Sequence, residues 1–348
     1  MQSSKERGQE IRIQILRDVK HHPRDITKHI SSIFSISPQA VNNHIRRLEQ
    51  EGRLASEGKG KGKVYFLGEV RSEKRVFELI EGLSEDLIWR QNFLSIFEGI
   101  KENILEICHY GFTEMVNNAI DHSSGESTAI KVNRDTNTIA VSILDDGEGI
   151  FKKIYRECKL IDESQAILEL SKGKLTTDPE NHSGEGIFFT SRAFDIFEIH
   201  SKGLKFSHDS GFEFDFLFED SQMLEDKGTW IHMRINRNST RQLKEVFDRY
   251  TSGPDDFNFN QTVIPVRLAA YENENLVSRS QAKRLLLRVE KFQNVIFDFE
   301  GVSKIGQAFA DEIFRVYAAK HSDITLAPVH MNDDVKFMVN RALNHEKT

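Results

Sequence analysis

The run Phe112-Thr113-Glu114-Met115-Val116-Asn117-Asn118-Ala119-Ile120-Asp121-His122 constrains this chain more than any other stretch. In a helix, Glu114 and Asn118 stand at i and i+4 on one face, with Asp121 and His122 about a turn further on. Phe112, Met115, Val116, Ala119 and Ile120 supply an apolar side that can bury the helix. A carboxylate and a carboxamide one turn apart at a pocket edge can aim a water and complete a magnesium shell. Alone, the same residues equally describe an amphipathic helix whose polar face meets solvent. Two glycine-rich segments downstream decide between these readings.

At 348 residues the chain exceeds the size at which one core usually stops growing, so two or three domains are expected. The net charge of -7 is unevenly spread. Residues 1–68 carry 13 Lys and Arg against 7 Asp and Glu, net +6; the remainder carries 34 against 47, net -13. A basic head on an acidic body directs any polyanion to the head. The two cysteines, Cys108 and Cys158, lack metal-ligand spacing or a disulfide framework and read as reduced thiols. No apolar run approaches the roughly 18 residues of a membrane span, and the N-terminus lacks a signal-peptide core, so a cytosolic protein without membrane contact is expected.

Ile11, Ile15, Leu16 and Val19 recur at helical spacing, and His21-His22-Pro23 ends that helix before a second over Ile26 to Ile33. Ser37-Pro38 supplies an N-cap and a first-turn proline for a third helix, Gln39 to Gln50. That helix buries Val41, Ile45 and Leu48 and turns Gln39, Asn42, Asn43, Arg46 and Arg47 outward. A Lys/Gly segment with Lys59, Lys61 and Lys63 then leads into the strand Val64 to Leu67. Outward Asn and Arg suit base edges and phosphates in a major groove, and a Lys/Gly wing suits the backbone. Three helices and a basic hairpin, with the pattern V-x-x-H-I-x-x-L-E-x-x-G-x-L, resemble a winged helix-turn-helix over residues 1–70. The resemblance implies DNA as a partner of residues 1–68, although winged helices also serve protein contact or dimerisation.

From Val76 to His109 the apolar spacing predicts helix, with Phe77, Leu79, Ile80, Leu83, Leu87 and Trp89 among the core candidates of a bridging scaffold. Two strands follow, Thr128 to Asn133 and Thr138 to Leu144, and the second ends in Asp145-Asp146-Gly147-Glu148-Gly149-Ile150. Asp145 at a strand end can accept from an exocyclic amine, and Gly147 and Gly149 let backbone approach a ligand. A polar stretch, 171–181, leads to His182-Ser183-Gly184-Glu185-Gly186-Ile187 and a helix, a natural phosphate cradle. Each segment alone also reads as an ordinary turn or capped loop.

Together, Glu-x-x-x-Asn-Ala, D-x-G-x-G, a glycine pair before a helix, and Gly228-Thr229 opening a last strand occur in the order of the GHKL ATPases, which include gyrase B, MutL and the histidine kinases. The resemblance covers residues 90–236 and implies the Bergerat fold, an α/β sandwich holding Mg2+ and ATP beneath a lid. On that resemblance Asn118 is the magnesium ligand, Asp145 the adenine-amine acceptor with Thr229 behind it, and Gly147, Gly149 and Ile150 the turn beside adenine. Gly184, Gly186 and Ile187 approach the phosphates, and Glu114 is the general base. Asp121 and His122 are further cofactor-binding candidates at the helix end, and Lys172 and Lys174 are candidates to reach the γ-phosphate; each also reads as a solvated or capping residue. Glu114 in place of Asn or His, and the lack of an H-box, turn the expectation away from a sensor histidine kinase.

After a polar boundary at 251–256 the alternation is βαβαβα: strand Thr262 to Ala269, helix Arg279 to Lys291, strand Val295 to Phe299, helix Ala308 to Ala319, strand Ile324 to Ala327, helix Asp334 to Leu343. Val295-Ile296-Phe297-Asp298-Phe299-Glu300-Gly301-Val302-Ser303-Lys304-Ile305-Gly306 resembles the STAS fold of anti-sigma-factor antagonists. Where those carry a phosphorylated serine, this chain reads Gly306-Gln307-Ala308, without a hydroxyl, which favours a docking or nucleotide-sensing module. The expected fold class is therefore multidomain α/β: winged helix over 1–70, GHKL domain with its helical bridge over 71–240, small STAS-like domain over 255–348. The expected activity is Mg-ATP binding and hydrolysis controlling DNA binding, with a protein partner at the STAS-like end and a homodimer as one assembly open to it. An anti-sigma-type serine/threonine kinase acting on a separate STAS protein, or a stress or defence module whose winged helix binds protein, are the alternatives.

Overall fold

The computed structural model describes residues 4–175, 184–211, 214–219, 228–251, 258–270 and 274–344. Contacts divide the chain into two units, residues 1–74 with 131–140, and residues 75–130 with 141–348. The strands β3 (Arg71–Glu78), β4 (Ser127–Arg134) and β5 (Thr138–Asp145) each pass from one unit into the other along their length.

In the first unit, α1 (Ser4–Asp18), α2 (Ile26–Phe34) and α3 (Pro38–Gln50) precede the antiparallel hairpin β1 (Leu54–Glu57) and β2 (Val64–Leu67). Ser37 caps α3 by accepting from Ala40 N at 3.2 Å, with Pro38 at the first helical position, where its missing N–H costs nothing. Ile11, Ile15, Val19, Ile26, Ile30, Val41, Ile45, Leu48 and Leu54 form its core, following the helical spacing of the sequence.

The second unit holds most of a seven-stranded sheet and a smaller parallel one. The larger has the order β3–β4–β5–β9–β6–β7–β8, where β6 is Ile196–Ser201, β7 Leu204–Asp209, β8 Phe214–Glu219 and β9 Trp230–Asn236. After β3 come α4 (Glu85–Ile88), a π-helical turn (Trp89–Phe93), a 3-10 turn (Leu94–Phe97) and the long α5 (Glu102–His122). The expected helix over Val76 to His109 is thus wrong over residues 76–84 and broken again over 98–101. Val76 on β3 and Ile80 just past its end stand 65% and 61% exposed; at this sheet edge, pairing with one neighbour outweighs weak helical spacing. The core of this stretch begins only at Ile88, Trp89 and Phe93.

Between β5 and β9 lie α6 (Ile150–Glu157), α7 (Ser164–Lys172) and α8 (Gly186–Ala193). Helices α5 and α8 pack closely, and a Cβ on Gly111 would overlap the Phe194 ring. After α9 (Leu243–Asp248), the parallel sheet runs β10 (Gln261–Pro265), β11 (Asn294–Asp298), β12 (Thr325–Val329). It carries α10 (Arg279–Leu286), α11 (Gln307–Asp311) continued by a π-helical segment (Glu312–Tyr317) into α12 (Ala318–Lys320), and α13 (Asp333–Asn344). Leu168, Phe188 and Phe189 share one apolar cluster with Phe259, Ile264, Phe292 and Phe297, so packing is continuous from α7 and α8 into the parallel sheet. Of the expected boundary at 251–256, residues 252–256 lie outside the described residues.

Candidate functional site

Helix α5 presents Glu114, Asn118 and His122 to a cleft of about 320 Å3 whose other walls come from β5, α6, the end of α7, α8 and β9. Heptad-like burial of Ile104, Ile107, Cys108, Phe112, Met115, Val116 and Ala119 fixes which face remains for the cleft. The lining includes Asp145, Gly149, Ile150, Gly184, Gly186, Ile187 and Thr229, brought from segments far apart in sequence.

Asp145 closes β5 at the back of this cleft. Its Oδ1 accepts from Gly147 N at 2.9 Å and Thr229 N at 3.2 Å, and its own amide donates to the Thr229 carbonyl at 3.1 Å. Burial pushes the Asp145 carboxyl above the ordinary carboxylate range, against the pull of those two amides. Thr229 Oγ1 accepts from Ile150 N at 3.1 Å, so one threonine ties the Asp145 turn to the start of α6. Gly149 has φ +89°, and a Cβ there would overlap Ser201 Oγ. Gly147 is not among the lining residues; it passes so close to the Ser123 carbonyl that any Cβ would overlap it, and its role is to let the turn close.

At the opposite end, Gly186 begins α8 against Glu114: a Cβ on Gly186 would overlap Glu114 Oε2. The Glu114 carboxylate therefore sits beside the positive end of α8, where free amides attract anions. Gly184, φ +73°, accepts from Leu175 N at 3.1 Å and keeps the entry to α8 next to the cleft.

Besides Gly147, three expected residues lie elsewhere. Asp121 is exposed and is not among the cleft residues. Lys172 and Lys174, expected at a γ-phosphate, turn the other way. Lys172 is 1% exposed on a helix buried from Gln165 onward, and donates to Glu169 Oε1 at 2.7 Å and to the Leu287 carbonyl at 2.8 Å. Burial lowers the Lys172 pKa and raises that of Glu169, each opposed by the other's charge. Lys174 Nζ donates to the Lys291 carbonyl at 3.1 Å. Residues 176–183 of the expected phosphate loop lie outside the described residues.

Three polar lining residues, Asn117, Ser123 and Lys153, escaped the sequence reading. Lys153 enters the cleft from the first turn of α6 and donates to the His122 carbonyl at 2.9 Å, capping α5. Its signal was present in Ile150-Phe151-Lys152-Lys153-Ile154, where apolar spacing buries Phe151 and Ile154. Among the described residues no group of three or more His, Cys, Asp or Glu is placed to hold a metal. A divalent cation here would rest on the Asn118 carboxamide, water and oxygens of a bound ligand, as magnesium commonly does. A Cβ at Gly149 or Gly186 would overlap Ser201 Oγ or Glu114 Oε2, so only glycine lets the backbone pass at these two edges of the cleft.

The first unit has its own polar face. On α3, Gln39, Asn43, Arg46 and Arg47 are exposed, while Asn42 is half-buried and accepts from Thr27 Oγ1 at 3.2 Å. Arg47 pairs with Glu51 at 2.8 Å. Lys59 is exposed; Lys63 is tied back to Glu49 at 3.0 Å and lies over the Tyr65 ring, so it is a hairpin staple more than a free cation. The Lys61 side chain lies outside the described residues.

No helix among the described residues is long and apolar enough to cross a membrane. No curated protein matches the chain. Residues 281–336, from within α10 through β11 and β12 to the start of α13, match the family described as a STAS-like domain of unknown function (DUF4325), so the C-terminal part of the chain contains a STAS-like domain.

Proposed function

We propose that the cleft on α5 binds ATP with magnesium and hydrolyses it, and that the nucleotide state governs DNA binding by residues 1–68. The observation that supports this most is the meeting of Glu114, Asn118, Asp145, Gly149, Gly186 and Thr229 in one cleft, in the chain order that GHKL ATPases use. Asp145 accepts the adenine amine through a carboxylate already oriented by two amides, and Thr229 holds the turn behind it. The start of α8 faces the triphosphate with its free amides. Asn118 would hold magnesium, which would neutralise charge on the phosphate oxygens. Glu114 takes a proton from the attacking water as its oxygen bonds to the γ-phosphorus and the bond to the β–γ bridging oxygen breaks, releasing ADP.

The exposed face of α3 and Lys59 meet DNA, and the STAS-like domain receives a protein partner. ATP can act as a switch only if it binds one arrangement of the chain better than another. The test is Mg-ATP turnover by the full chain, following the fate of labelled γ-phosphate, with DNA affinity measured alongside. Free phosphate released at a rate that depends on Glu114, and a DNA affinity differing between ATP and ADP, are expected. Label retained on protein would replace hydrolysis with kinase chemistry, and equal DNA affinity in all nucleotide states would remove the switch.

A further inference from the structure

The end of α7 is a wall shared by the cleft and the STAS-like domain. Leu170 and Leu175 line the cleft, while the residues between them are gripped from the other side. The Lys172 carbonyl accepts from Thr262 Oγ1 on β10 at 2.6 Å, and its ammonium donates to the Leu287 carbonyl just past α10 at 2.8 Å. The Lys174 carbonyl accepts from Arg288 Nη2 at 3.0 Å and from Lys291 Nζ at 3.1 Å. Gly173, φ +81°, sits so tightly that a Cβ would lie 2.6 Å from the Phe259 ring. Arg288 also stands 3.9 Å from Glu169, the buried partner of Lys172.

A buried ion pair is a poor way to gain stability, because two apolar side chains of similar size pack as well without the desolvation cost. Its distinctive effect is registry: charges and carbonyls at fixed points admit one placement of the backbone, where an apolar contact would tolerate sliding. Here the backbone so fixed, residues 172–174, runs directly into Leu175, whose amide is bonded to Gly184 beside the start of α8.

We propose that Lys172 and Arg288 are positioning residues through which the STAS-like domain sets the nucleotide affinity of the cleft. This rests on the reading of the cleft as an ATP site. The coupling is reciprocal: whatever shifts the STAS-like domain shifts ATP affinity, and ATP shifts the domain by the same factor.

The experiment titrates the full chain with Mg-ATP by calorimetry, beside a melting curve for each protein. Four forms are compared: wild type, Arg288→Ala, the charge-free pair Glu169→Leu with Lys172→Met, and Val339→Ala. Val339 is buried on α13 of the same domain, so the last variant weakens that domain without touching residues 172–175. Arg288→Ala and the charge-free pair are expected to bind Mg-ATP at least about fivefold more weakly, the lower end of ordinary coupling. The charge-free pair should do so while melting at or above the wild-type temperature, and Val339→Ala should melt lower with unchanged affinity. Wild-type affinity in both Arg288→Ala and the charge-free pair would overturn the proposal while leaving the ATP reading intact. An equal loss in Val339→Ala would overturn it as well, by reducing the effect to general destabilisation. A wild-type chain that binds no Mg-ATP would refute the ATP reading, and the proposal with it.

Discussion

Replacing Asp145 by Asn separates ligand recognition from folding. The Asn carboxamide keeps one oxygen for the Gly147 and Thr229 amides at 2.9 and 3.2 Å, so the turn retains its acceptor. The other position changes from a carboxylate oxygen to an NH2 group, which would place a donor opposite the adenine amine of the proposed nucleotide. A hydrogen bond to a charged acceptor contributes about 1.5–3 kcal/mol, and about 1.4 kcal/mol is tenfold in affinity, so binding should weaken roughly tenfold to a hundredfold. Stability should move the other way or not at all, since burial already raises the Asp145 pKa and the substitution removes a buried charge. Calorimetric titration with Mg-ATP and a melting curve on the same sample read both quantities. The wild type carries a matching pH signature: because the carboxyl titrates above its ordinary range, acidification should begin to weaken ATP binding earlier than an exposed aspartate would, and Asp145→Asn should lose that dependence. An Asp145→Asn protein that binds ATP like the wild type, or that fails only because it melts, would refute the assigned role.

Glu114→Ala should bind Mg-ATP yet lose about 10²- to 10⁴-fold in turnover, the usual contribution of a general base, whereas Asn118→Ala should lower Mg-dependent affinity; steady-state turnover and titration distinguish them. Glu198 on β6 is held down to about 2 by His200 and Lys205, and Lys205 at 2.7 Å is the firmer partner because His200 stands 3.5 Å away. A depressed carboxylate stabilises the fold above its unfolded pKa and loses that contribution as pH falls from about 4.5 toward 2. Glu198→Gln should therefore flatten the acid limb of a urea-denaturation profile, by roughly 3 kcal/mol in full. Gly111→Ala should cost about 1–3 kcal/mol in the same assay, because its methyl overlaps the Phe194 ring in a packed core. In salt titrations of DNA binding, Lys59→Gln should reduce the slope of log affinity against log salt by about one. Lys63→Gln should reduce it less, since Lys63 is already paired with Glu49; equal slopes for the two variants would count against the staple.

Local periodicity carried much of this molecule into view. The three N-terminal helices, the paired strands before and after residue 136, the polar face of α5 and the alternation of the C-terminal domain all follow from spacing, capping residues and glycines. Their interactions are short in sequence, as with Ser37 capping α3 three residues on. Where spacing met a sheet edge it failed: β3 holds Val76 and Phe77 in a strand because a neighbour from fifty residues away supplies its hydrogen bonds. The same holds for α7, whose polar end looks like a surface loop until a distant domain covers it.

The residue types of the cleft were determined by the sequence, since Glu114, Asn118, Asp145 and the glycines stand at spacings that helix and strand periods fix. Which lysines face that cleft was decided only in three dimensions. Lys153 enters it by capping α5 through the His122 carbonyl, and Lys172 leaves it for Glu169 and Leu287. The physical reason is that a buried ammonium goes where carbonyls and a carboxylate can satisfy it; Glu169 is a near neighbour in the chain, but the Leu287 carbonyl that completes the site lies 115 residues on, where no local pattern can register it.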